Sequence, residues 1–284
     1  MAWKRIHVKC EPAQPGHEIA VAWLSDAGCS MFEASEDGVE AYAKGEELDA
    51  EIVLASRADL AALGLVEWLE SEVEEENWNA RWEADYPEVR VGNVVRVRAP
   101  FHPDRVEEAF AHTITVQPRM AFGTGHHGTT HGLLAEMAEM TWDGLSVLDM
   151  GCGSGVLAIY AALRGTAHTV AIDIDPWSVR NTAENLLLNG REEGRAFNLR
   201  EGGADQLTAG DHNSFDVVIA NINRNILLED MAAYCRVLKP SGTLMLSGFM
   251  EPDVEILRTE AAQFGLHQTG LRAEQEWRVL TLQR

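Results

Sequence analysis

The sequence predicts an α/β protein in which a mostly parallel sheet carries helices on both faces and follows a small α+β domain. Three observations lead there. From about residue 131, apolar runs of strand length alternate with helical runs. The first of those strands ends in a glycine-rich turn, VLDMGCGSGVLAIYA (147–161). The first 73 residues show a shorter strand–helix pattern of their own.

RIHVKC (5–10) alternates apolar and polar residues, as a half-buried strand does. PGHEIAVAWLSDAG (15–28) sets Ile19, Ala20, Trp23 and Leu24 on one helical face and stops at glycine. SMFEASE and VEAYAK flank Asp37-Gly38, a dipeptide suited to tight hairpins because both positions tolerate positive φ. DAEIVLASRADLAAL (49–63) reads as a helix and LVEWLESEV (65–73) as a strand. The order βαββαβ is the ferredoxin-like pattern and predicts an N-terminal domain over residues 1–73. EEENWNARWEADYPEV (74–89) reads as a short helix broken at Pro87, with Trp78 and Trp82 on one face, inside a connector assigned to 74–100. VGNVVRVRAPFH (91–102) begins another strand.

The remaining domain, 101–284, contains a helix over Gly132–Met140, the strand SVLDM (146–150), and a helix over 156–165. Then come TVAIDID (169–175), a helix over 178–190, FDVVIANI (215–222) and a helix over 225–239. GTLMLSGF (242–249), a helix around Asp253–Phe264 and the closing strand WRVLTLQ (277–283) complete the pattern.

Of the 284 residues 46% are hydrophobic, with no apolar run of transmembrane length and no segment resembling a signal peptide. Four cysteines (Cys10, Cys29, Cys152, Cys235) are scattered without zinc spacing, which fits a reducing compartment and predicts a cytoplasmic protein. A net charge of −22 repels nucleic-acid phosphates and attracts basic partners, so no direct nucleic-acid binding and no membrane contact are expected. Nothing in the sequence reads on oligomeric state.

The glycine turn is the most informative stretch. Gly151, Gly153 and Gly155 allow close backbone approach, and the helix that follows offers N–H groups at its start. A dinucleotide fingerprint requires its third glycine at position 156, which is Val156 here. Asp149 fits poorly beside a pyrophosphate and well beside the positively charged amino-acid end of S-adenosylmethionine. Asp173, at the tip of the next strand, is placed to accept both ribose hydroxyls. This pattern predicts S-adenosylmethionine as cofactor and a class I methyltransferase-type, Rossmann-like sheet.

The strand FDVVIANI of that sheet leads into VVIANINRNIL (217–227), which puts Asn221 at the ligand edge. Its carbonyl oxygen suits an acceptor N–H, so Asn221 is the catalytic candidate. The double proline and aromatic usual in adenine-base methylases are absent after it. FGTGHHGTT (122–130), DMGCGSGVLAI (149–159), AIDIDP (171–176), VVIANI (217–222) and EWRVLTL (276–282), with ENWNARW (76–82) more weakly, resemble the ribosomal protein methyltransferase family PrmA. The resemblance covers nearly the whole chain. It implies methylation of lysine side chains and the N-terminal amine of large-subunit ribosomal protein eleven. It also implies cofactor contacts at Thr130, Gly151, Asp173 and Asn221, and an N-terminal domain that grips the substrate on a flexible linker.

Asp149, Gly153 and Phe122 complete the expected cofactor set, with MAFGTGHHGTTHG (120–132) read as a lid loop and Phe122 covering the ligand. His126 and His127 are alternatives as a general base. A metal site on His126, His127 and His131 is outweighed, because their spacing is poor and no cysteine or carboxylate lies nearby in sequence. RNA or small-molecule methylation, or a non-catalytic module for a basic partner, are the competing functions.

Overall fold

A computed structural model describes residues 3–35, 38–73, 86–103, 110–119 and 122–284. The chain divides into two compact units, Met1–Asp85 and Tyr86–Arg284.

In the first unit, strands β1 (Trp3–Cys10), β2 (Met31–Ala34), β3 (Val39–Lys44) and β4 (Leu65–Val73) form an antiparallel sheet ordered β2-β3-β1-β4. Helices α1 (Ala13–Asp26) and α2 (Ala50–Ala62) pack on it, and Ile6, Val8, Leu24, Ala41 and Leu60 fill the core between. The predicted ferredoxin-like order is therefore present. Asp49 starts α2 by accepting the Glu51 and Ile52 N–H groups at 2.9 and 3.2 Å. The predicted hairpin joins β2 to β3, with Asp37 itself outside the described residues.

The predicted connector helix, with Trp78 and Trp82, also lies outside the described residues. Residues 89–98, grouped with the connector in the sequence reading, instead carry two strands of the second unit. These are β5 (Val89–Val91) and β6 (Val95–Arg98), which join β7 (His112–Thr115) in a small three-stranded sheet. Buried Arg96 holds Glu88 through paired hydrogen bonds and also donates to the Pro103 carbonyl.

The main sheet of this unit has seven strands. These are β8 (Ser146–Met150), β9 (His168–Asp173), β10 (Phe197–Glu201), β11 (Phe215–Asn221), β12 (Leu238–Met250), β13 (His267–Glu274) and β14 (Trp277–Gln283). Their order is β10-β9-β8-β11-β12-β14-β13, parallel from β10 to β12, with β14 antiparallel to both its neighbours. The helices are α3 (Gly128–Ala138), α4 (Val156–Leu163), α5 (Pro176–Leu188), α6 (Arg224–Val237) and α7 (Val254–Gln263). Strand side chains alternate between two cores. Val147, Ile219, Met245 and Val279 share one with residues of α3 and α4, and Leu148, Val218, Leu244 and Leu280 share the other with residues of α6 and α7. Strand order reverses between β8 and β11, so the carboxyl ends of these two strands open the crevice where ligands of such sheets bind.

Candidate active site

Gly151, Gly153 and Gly155 all sit at positive φ (72°, 56° and 78°), where a side chain would be strained. Space is closed to them too. A Cβ on Gly153 would come within 2.4 Å of the Phe122 carbonyl oxygen, and one on Gly155 within 2.5 Å of Thr182 Cγ2. Every N–H of the turn is spent inside the chain. Gly151 and Cys152 donate to the Ile172 carbonyl at 2.8 and 3.0 Å, and Gly155 donates to Cys152 at 2.8 Å. Gly153 donates to Asp173 Oδ2 at 2.8 Å, and Ser154 to the Phe122 carbonyl at 2.9 Å. The N–H groups expected to be open are those at the start of α4; those of residues 151–155, in the turn before it, are all engaged and none is left for an anion.

Below the turn, Asp149 has no exposed surface, and its Oδ2 accepts the Ala158 N–H at 3.1 Å, capping the first turn of α4. Its Oδ1 is buried without a partner. Burial pushes its carboxyl from an ordinary 3.8 up to about 7, against the Ala158 hydrogen bond and with some help from Asp173. A turn with its N–H groups engaged, above a buried carboxyl with one oxygen unpartnered among the described residues, is an environment for a cation. It fits a sulfonium cofactor carrying an ammonium group and does not fit a pyrophosphate.

Asp173 spends one oxygen on Gly153 N–H and the other on Asp175 N–H at 2.9 Å, so it braces the turn. A carboxylate has about four lone-pair positions, which leaves it capacity for ribose hydroxyls. Next to it Ile174 is 77% exposed, close to Gly203 in the loop after β10. A large aliphatic side chain held open at the ligand edge suits the flat face of a base. The sequence reading missed it, although one apolar residue between two acids in AIDID was a signal.

Asn221 ends β11. Its Nδ2 donates to Thr130 Oγ1 at 3.1 Å, and its Oδ1 is buried without a partner among the described residues. Thr130 has no exposed surface, so its hydroxyl addresses Asn221 and orients that amide. The histidines of the lid stretch have other occupations. His126 Nε2 meets the Pro87 carbonyl at 2.9 Å and its Nδ1 meets Thr124 Oγ1 at 3.1 Å, so both ring nitrogens have partners within the chain. His127 caps α3 by accepting from Thr129, and its ring lies between Phe122 and Trp277 at 4.9 and 4.7 Å. His131 reaches the Arg90 carbonyl at 3.2 Å and faces Glu274. No group of three metal-binding side chains occurs among the described residues. Phe122 is 55% exposed, with its carbonyl fixed on Ser154.

The model of the family described as ribosomal protein L11 methyltransferase (PrmA) matches residues 8–284. The chain belongs to the PrmA family. A relative named ribosomal protein L11 methyltransferase from Porphyromonas gingivalis is 39% identical over 269 residues, covering 94% of this chain and 90% of the relative. One of the same name from Bacteroides fragilis is 36% identical over 263 residues, covering 92% and 91%. The crystal structure of a ribosomal protein L11 methylase from Lactobacillus delbrueckii subsp. bulgaricus shares the fold, with a TM-score of 0.62 at 22% identity over 70% of this chain and 98% of that one. PrmA membership accounts for the sheet order and the S-adenosylmethionine dependence that the turn predicts.

Proposed function

We propose that this PrmA-family chain transfers methyl groups from S-adenosylmethionine to lysine side chains, the N-terminal amine, or both, of ribosomal protein L11. One observation carries the site assignment. The Asn221 amide has its N–H side tied to Thr130 and its carbonyl oxygen buried and unpartnered at the reacting edge of the sheet. A buried acceptor left open in this way is completed by a donor N–H, which a substrate amine brings.

Gly151, Gly153 and Asp173 hold the cofactor, Asp149 balances its positive charge from beneath, Ile174 receives its base and Phe122 covers it. The cofactor supplies a methyl group already activated by a sulfonium. Asn221 Oδ1 accepts an N–H of the incoming amine and turns the nitrogen lone pair toward that methyl, which is positioning rather than proton transfer. Thr130 keeps Asn221 in the required orientation. A lysine is only about 0.04% neutral at pH 7, so the amine sheds its proton to water while the closing cleft desolvates it.

Residues 1–73 are the unit that grips the protein substrate; the catalytic domain takes in 101–284 together with β5 and β6, so the connector ends before Tyr86 and not at residue 100. A cytoplasmic location is supported by four free, buried cysteines, and no helix among the described residues is long and apolar enough to cross a membrane. The test supplies methyl-labelled cofactor together with L11 and bulk RNA. Label in L11 alone is the expected result. Label in RNA alone rejects the protein substrate, and no label despite cofactor binding leaves a binding module.

A further inference from the structure

Ser154 lies inside the glycine turn and has no exposed surface, and its three polar groups are committed to two other segments. Its N–H donates to the Phe122 carbonyl at 2.9 Å and its Oγ–H to the Gly123 carbonyl at 2.8 Å. Its own carbonyl accepts Asn185 Nδ2 at 2.8 Å. Asn185, on the buried face of α5, accepts the Gln117 N–H through Oδ1 at 2.8 Å. Gln117 stands before the lid stretch and Phe122 within it. The backbone N–H and carbonyl of Ser154, with one side-chain amide, therefore join Gln117 and Phe122 to the turn.

The same helix face extends the arrangement. Asn189, one turn further on, brackets Thr115 by accepting its N–H at 2.8 Å and donating to its carbonyl at 2.7 Å. Four residues of helix advance about 6.0 Å and two of extended chain about 6.6 Å, so rungs at 189–115 and 185–117 stay in step. Thr182 donates to the Gly153 carbonyl at 2.9 Å, so α5 also grips the turn directly. Buried amides with all partners met hold one geometry, because each alternative leaves a polar group unsatisfied.

We propose that Ser154 and Asn185 are positioning residues that latch the lid stretch to the cofactor turn, so that a ligand settling on the turn fixes the lid. The inference rests on the methyl-transfer reading of the site. Neither residue touches the reacting atoms; they set where Phe122 stands. The test uses the full chain and S-adenosylhomocysteine, the product the cofactor leaves behind. Its Kd is measured by calorimetry, and hydrogen exchange is followed at the amides of residues 122–127 with and without it. In the unaltered chain the ligand slows exchange there. Ser154→Ala removes the hydroxyl and raises Kd about 5–10-fold, and the ligand no longer slows lid exchange. Asn185→Leu, close in size, gives the same pair of effects and stands in if the first variant does not fold. Unaltered affinity and lid protection in a folded variant overturn the latch. A wild-type chain that binds no S-adenosylhomocysteine overturns the methyl-transfer reading instead.

Discussion

At the scale of single residues, the site depends on two buried polar atoms without partners among the described residues, Asn221 Oδ1 and Asp149 Oδ1. Asn221→Ala removes the amine's acceptor and lowers kcat/KM for the protein substrate about 100-fold, the scale of a misplaced nucleophile. The loss lies in kcat/KM for L11, with cofactor affinity changed far less; steady-state kinetics in both substrates check it. Asn221→Asp keeps an acceptor oxygen and retains more activity than the alanine variant. Asp149 predicts a pH effect. With its folded value raised from 3.8 to about 7, the group withdraws stability as pH climbs through that window, because the folded chain holds the proton more tightly than the unfolded one. A bound cation favours the carboxylate, so cofactor binding releases a proton and strengthens as pH rises through about 7. Asp149→Asn makes the ligand-free chain more stable at pH 8, weakens cofactor binding and abolishes its pH dependence. Melting curves and calorimetry across pH 6 to about 8.5 read these effects.

At the scale of elements, the glycine turn and the lid are built against each other. Gly153→Ala puts a methyl within 2.4 Å of the Phe122 carbonyl and strains a φ of 56°. It costs about 1–2 kcal/mol from backbone conformation alone, seen as a lower melting temperature, and displaces the lid. Gly92→Ala, also at positive φ but with nothing within 4 Å among the described residues, is the control for strain without collision. Much of this architecture was legible in the sequence, and the parts that were not share physical causes. β8, β9, β11 and β12 are apolar runs buried on both faces, so they stand out as strands. β10 (FNLRE) and β13 (HQTGLRAE) are the two edges of the sheet, and their charged and polar residues hide them from a search for apolar blocks. β7 has four residues, HTIT, with only Ile114 buried, too little to register. Within the site, Asp149, Gly151, Gly153 and Asp173 lie close together in sequence and were read as one motif. Asn221 with Thr130, and Asn185 with Ser154, are 91 and 31 residues apart, so only folding reveals that each pair acts together. Thr130 was expected to touch the cofactor, and the fold adds that its hydroxyl accepts from Asn221. The lid histidines, candidates for base or metal, are instead committed to carbonyls of residues 87 and 90 and to the cap of α3.

At the scale of the whole molecule, the net charge of −22 bears on the choice and capture of substrate. Proteins that bind ribosomal RNA carry basic surfaces, and an acidic enzyme draws them in at long range. Raising salt from about 0.05 to 0.5 M shortens the screening length severalfold. The KM for L11 therefore rises several-fold while affinity for S-adenosylmethionine, set inside the turn, changes little. Equal salt responses for the two substrates contradict that account of the charge. The most direct test of the central claim is the intact mass and peptide map of L11 after incubation with the enzyme and S-adenosylmethionine. The account predicts whole-methyl mass increments located on lysine side chains or the N-terminal amine, and almost none with Asn221→Ala. Unmodified L11 from a chain that binds the cofactor, or methyl groups found away from amines, would contradict it.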